Sequence, residues 1–192
     1  MRNVLLIGLL LAVVAALIVY LRRQENTTTV NQAISFAVPN YERIKGESLA
    51  MERPQLKYFT PSEFREWYDL MNDRQLLALD EFRRLWGRPV TISAHPDALG
   101  RHGGTSDKSQ HNVDLWGEVL ATDIFPEGLT ENNALEAYEK ARQAGFSGIG
   151  IYTDTKPSMM MHVDVRPDRS PASPAKWARV DRKYVGIEEV FA

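Results

Sequence analysis

Apolar positions along this chain fall into three patterns, and each predicts a different element. The first is an unbroken apolar run from Val4 to Leu21, flanked by Arg2 and by Arg22 and Arg23. Its length suits a bilayer core, which takes on the order of 17 to 25 helical residues. The run ends in Tyr20-Leu21-Arg22-Arg23 rather than at a small-residue cleavage site, so it reads as a retained single-pass anchor over residues 1–23. The second pattern is helical. Thr60-Pro61-Ser62-Glu63 has the spacing of a capping box with proline at the first helical position, predicting a helix from Pro61 to about Leu70. Leu76, Leu79, Phe82 and Trp86 share one face of a predicted helix from Asp73 to Trp86 that stops at Gly87. Thr130 caps another, through Ala144, that ends at Gly145. The third pattern is strand-like: Val90 to Ser93, Val119 to Phe125, Gly148 to Thr153 and Met160 to Val165.

Between anchor and helices, residues 24–55 are polar, with Asn26-Thr27-Thr28-Thr29, Pro39-Asn40 and Lys45-Gly46, and read as a tether with one short ordered piece around Ile34 to Val38. Residues 56–192 are enough for a single domain with one core. Helices followed by mostly antiparallel strands predict an α+β domain whose sheet carries the site. Trp67, Tyr68, Phe82 and Trp86 read as core, and Trp116 as a cleft wall or a platform that stacks on a substrate. Pro167 to Pro174 reads as a turn, after which Trp177 to Val180 packs back on the domain. Charge is nearly balanced, with 23 basic and 25 acidic residues and no basic stripe, which argues against a nucleic-acid partner. The absence of cysteine decides nothing about compartment.

The alternation also locates candidate chemistry. In Met160 to Val165, His162 and Asp164 share one face, while Val163 and Val165 face away. In Val119 to Phe125, Asp123 shares the face of Ala121 and Phe125, a costly place for a carboxylate unless it is paired or holds a metal. With His111 from Ser109-Gln110-His111, the chain offers two imidazoles and a carboxylate. Zinc takes those donors, and three protein ligands leave a fourth position for a water that the metal acidifies. The plain alternative is a hydrogen-bonded core histidine and a strand-end carboxylate.

Ser109-Gln110-His111, Ala121-Thr122-Asp123, Gly148-Ile149-Gly150-Ile151-Tyr152 and His162-Val163-Asp164, in that order, resemble the M15-type zinc peptidases. That group comprises D-alanyl-D-alanine carboxypeptidases and dipeptidases, murein endopeptidases and phage endolysin peptidases, and shares its fold with the hedgehog signalling domain. The likeness spans about residues 58 to 180. It implies a hedgehog-like fold, Zn2+ held by His111, Asp123 and His162, and the peptides of bacterial peptidoglycan as substrate. Two departures accompany it. The interval from His111 to Asp123 is longer than the family's usual one, which would end at Glu118 and makes that residue a competing ligand. Many members also carry an acid three residues before the last histidine as the base for the attacking water, and here that position is Met159. Asp164 is the leading substitute as base, or alternatively an acceptor that orients an imidazole; Asp154 is a weaker base. Arg101, in a Gly-rich loop, is the cation for a substrate carboxylate or a developing oxyanion. His95 and His102 read as loop or cleft-rim residues.

The expectation is therefore a membrane-anchored zinc peptidase of the cell wall, encoded by a phage or prophage, with residues 4–21 in the lipid bilayer. Arg2 and the amino group nearly balance Arg22 and Arg23, so flanking charge votes only weakly, and for the domain inside. Cell-wall chemistry places it instead facing the periplasm or in a virion membrane. The runner-up is a zinc-containing structural or wall-binding membrane protein without turnover, and the third reading is a metal-free scaffold.

Overall fold

Asn72 opens the longest helix among the described residues by accepting hydrogen bonds on its side-chain oxygen from the backbone N–H groups of Arg74 and Gln75. Helix α1 (Asp73–Trp86) then runs until Gly87, whose φ of 71° suits the left-handed stop that glycine adopts without strain. The computed structural model describes residues 53–192. The expected anchor, and the expected ordered piece around Ile34 to Val38, lie outside the described residues. Among the described residues no helix is long and apolar enough to cross a membrane.

The remaining helices are α2 (Val113–Trp116), α3 (Ala134–Ala144) and α4 (Ile187–Phe191). The strands are β1 (Val90–Ile92), β2 (Ala121–Pro126), β3 (Gly148–Tyr152), β4 (Met160–Asp164), β5 (Ala175–Val180) and β6 (Lys183–Val185). They form one open sheet in the order β1-β2-β4-β3-β5-β6, antiparallel throughout except for the parallel pair β3 and β5. The architecture is α+β. One face of the sheet is the core: Ile124, Ile149, Ile151, Met161 and Val163 are fully buried. Helices α1 and α3 pack on one another over that face, contributing Leu76, Leu79 and Phe82 from α1 and Ala134, Ala137 and Ala141 from α3. Each large apolar side chain withdrawn from water in this way contributes about 1.5–3 kcal/mol. Buried Gln75 fixes α1 to the sheet, its amide donating to Thr122 Oγ1 at 3.1 Å and to the Val163 carbonyl at 3.0 Å.

Two predicted helices differ in detail. Pro61–Leu70 does begin with the expected box, Glu63 accepting from the Thr60 N–H at 2.9 Å, but it is a 3-10 segment broken at Arg65, where φ is 53°. The Arg65 guanidinium reaches the carbonyls of Ser93 and His95. Thr130 starts a 3-10 turn, Glu131–Asn133, that leads into α3.

Candidate metal centre

The opposite face of the sheet carries the site. Strand register sets Asp123 of β2 beside His162 of β4, and His162 beside Gly150 of β3. His111 arrives from the loop before α2. Its backbone carbonyl accepts from Arg101 N–H at 2.9 Å, and Gln110 O accepts from Leu120 N–H at 3.0 Å, so this loop is pinned both to the Gly-rich segment and to the start of β2. The excursion after His111 is a single helical turn, α2, opened by Asn112 and closed by Gly117 at φ 75°. It lies within the interval between His111 and Asp123. Glu118, at its end, accepts from Asn72 Nδ2 at 2.8 Å, whereas Asp123 stands with both histidines.

Three donor atoms converge. His162 Nδ1 is 3.0 Å from Asp123 Oδ1, His111 Nε2 is 3.2 Å from His162 Nδ1, and His111 Nε2 is 3.5 Å from Asp123 Oδ1. Two ligands bound tetrahedrally to zinc at about 2.0–2.1 Å stand about 3.3 Å apart, so the three atoms already span one face of such a polyhedron. The nitrogens that point away are also fixed. His111 Nδ1 lies on the Leu99 carbonyl, and His162 Nε2 on Asp164 Oδ2 at 3.0 Å. With each outer N–H donating to an oxygen, the inner nitrogens keep their lone pairs for a metal, as metal-binding histidines require. Both histidines are buried, while Asp123 remains partly open to solvent. This buried His111, Asp123 and His162 group can hold a metal ion.

Asp164 is fully buried and its oxygens are occupied. Arg166 donates to it from Nε at 2.9 Å and from a terminal nitrogen at 2.6 Å, and Oδ2 also takes His162 Nε2. That is the orienting geometry. The base role offered for Asp164 in the sequence does not fit it, because its carboxylate meets His162 on the side away from the converging donors. Burial pushes Asp164 upward, but Arg166 and His162 outweigh it and hold the carboxyl well below the usual range. Asp123 is likewise pushed up by burial and held low by hydrogen bonds from His111 and His162.

The other candidates are not among the three converging donors. Arg101 pairs through Nε with Asp107 at 2.9 Å, and its terminal nitrogens make no hydrogen bond to the described residues. His102 is exposed and bonds Asp114 at 2.7 Å, while His95 caps Pro96–Ala98 by accepting from Asp97 N–H. Asp154 holds Arg179 and the Arg182 N–H in the β5–β6 turn. Met159 packs against the core edge. Trp116 is half-buried, its indole N–H donating to Ser109 O at 2.9 Å. The tryptophan beside the donors is Trp177, whose ring centroid lies 5.4 Å from that of His162. Sequence reading missed it together with Arg166. The signal for Arg166 was its spacing of two from Asp164, and for Trp177 the glycine at 150, whose missing side chain leaves the space the indole fills.

Compared with models of protein families, with curated proteins and with solved structures, the chain matches none.

Proposed function

We propose that this chain is a membrane-anchored zinc metallopeptidase acting on the peptides of bacterial peptidoglycan. The observation that carries the reading is the convergence of His111 Nε2, Asp123 Oδ1 and His162 Nδ1 within 3.0 to 3.5 Å, with both outer imidazole nitrogens held by oxygen acceptors. Hard and borderline donors in this number and spacing suit zinc with an open fourth position. Zinc held there would supply an acidified water and a Lewis acid for the scissile carbonyl. Leu99 and Asp164 keep the two rings oriented, and Arg166 keeps Asp164 ionised. Arg101 has its backbone zipped to His111 and, among the described residues, its terminal nitrogens make no hydrogen bond, which suits a substrate carboxylate. The cell-wall substrate and the hedgehog-like fold rest on the ordered motifs Ser109-Gln110-His111, Ala121-Thr122-Asp123 and His162-Val163-Asp164.

A second reading has its own support. Met159 fills the usual acid position, and Asp164 has no free oxygen to take a proton, which favours a zinc-containing wall-binding protein without turnover. Two measurements on the full chain in detergent separate the readings. Metal analysis is expected to give one zinc per chain, lost in His162→Ala. Incubation of the loaded protein with purified peptidoglycan is expected to release new amino termini. Zinc without cleavage would establish the second reading; folded protein that takes up no added zinc would discard both.

A further inference from the structure

Strands β2, β4, β3 and β5 place Asp123, His162, Gly150 and Trp177 in one row across the sheet. A Cβ built on Gly150 would lie 2.4 Å from both Nε1 and Cε2 of the indole, well inside contact distance. Glycine there lets Trp177 lie over β3 toward His162, with ring planes tilted by 45° at a centroid distance of 5.4 Å. That separation is ordinary for a paired aromatic contact. The indole is fastened at two points. Its Nε1 donates to Tyr152 Oη at 3.2 Å, and the Arg166 guanidinium stands 5.3 Å from its ring centroid. Arg166 also grips Asp164, and Asp164 accepts from His162 Nε2. The contacts therefore close into a circuit: His162, Asp164, Arg166, Trp177 and back to His162.

Resting on the metal-centre reading above, we infer that Trp177 is a positioning residue for His162. Asp164 fixes one edge of the imidazole but leaves the ring free to tilt about that hydrogen bond. Trp177 packs beside the tilted ring and removes that freedom, so Nδ1 stays aimed at the point shared with His111 and Asp123. Gly150 makes the room, and Tyr152 keeps the indole from swinging out.

The test uses the full chain in detergent, stripped of metal. Zinc affinity is measured by competition with a chromogenic chelator, and ligand geometry by the visible absorption of the Co(II) form. Trp177→Leu and Gly150→Ala are expected to weaken zinc about tenfold, the usual scale for removing a partner of a metal ligand, and to change the Co(II) band. Trp177→Phe, which restores a ring against His162, is expected to recover most of that loss. Gly150→Ala adds little to Trp177→Leu, because the alanine harms only by displacing the indole. Tyr152→Phe removes a single oxygen and is expected to weaken zinc about threefold, less than loss of a direct partner does; it decides the matter if the larger changes do not fold. Wild type that binds zinc, with Trp177→Leu and Tyr152→Phe within about twofold of it and an unchanged Co(II) band, would overturn the inference alone. Wild type that binds no zinc would overturn the metal centre itself.

Discussion

His162 carries a carboxylate on each ring nitrogen, Asp123 on Nδ1 and Asp164 on Nε2, both at 3.0 Å. Burial alone would push this imidazole down, but hydrogen bonds to Asp123 and Asp164 outweigh it and raise the metal-free ring from 6.5 to about 9. The metal must displace the Nδ1 proton, so zinc uptake at neutral pH is expected to release about one proton and to strengthen about tenfold per pH unit until pH reaches the raised value. Stability of the metal-free protein runs the other way. A raised histidine contributes fully below its unfolded value of 6.5, and that contribution is lost as pH rises through about 9. Calorimetry in buffers of different ionisation enthalpy reads the proton. Denaturation midpoints at pH 6 and 9, compared with those of His162→Asn, read the stability. Zinc affinity that ignores pH across this range would show that no proton is displaced from His162 Nδ1. Asp123 and His162 were legible in the sequence because strand alternation put His162 on the face of Asp164 and left Asp123 on an otherwise apolar face, where a carboxylate needs a partner. Whether Asp164 was base or orienting acceptor was not legible, because the answer lies in how Arg166 and His162 take up its oxygens, a side-chain geometry that spacing alone does not show.

Elements with a strong local signal formed where expected. Helices α1 and α3, and strands β2, β3 and β4, are specified by apolar periodicity and by the glycines that end them. The pairing of β5 beside β3, in parallel, was not legible. Only Ala178 of β5 is buried, so its pattern carries little, and a contact between strands separated by β4 is a tertiary choice. The break at Arg65 was equally hidden, since the carbonyls its side chain binds lie about thirty residues on, far outside the range of local propensity. Gly148 shows how element and site are joined. A Cβ there would meet the Asp164 carboxylate at 2.2 to 2.4 Å, in the heart of its bonds to His162 and Arg166. Gly148→Ala is expected to cost about 3 kcal/mol, the scale of breaking a buried ion pair and leaving its members uncompensated. Chemical denaturation checks it. A loss close to that of an exposed glycine substitution would mean that Asp164 has room to relocate without losing its partners.

At the scale of the whole molecule, the proposed function demands a particular side of the membrane. The apolar run from Val4 to Leu21 is long enough to span a bilayer, but Arg2 and the amino group nearly match Arg22 and Arg23, so the flanking charge gives almost no direction. Substrate chemistry has to supply what charge does not, because peptidoglycan lies outside the cytoplasmic membrane. The expected outcome in a bacterial host is that the protein stays with membranes through alkaline extraction. Protease added to intact spheroplasts should then digest residues 53–192 down to a short protected fragment. Protection of that part until the membrane is broken would remove peptidoglycan as the substrate. It would leave the metal centre untouched, since the convergence of His111, Asp123 and His162 is a property of the sheet and its loops and not of the compartment. Loss of the protein from membranes on extraction would instead remove the anchor and leave both the centre and its chemistry standing. The three propositions of metal, substrate and membrane side therefore fail separately, and the protease experiment addresses the one on which sequence charge is least informative.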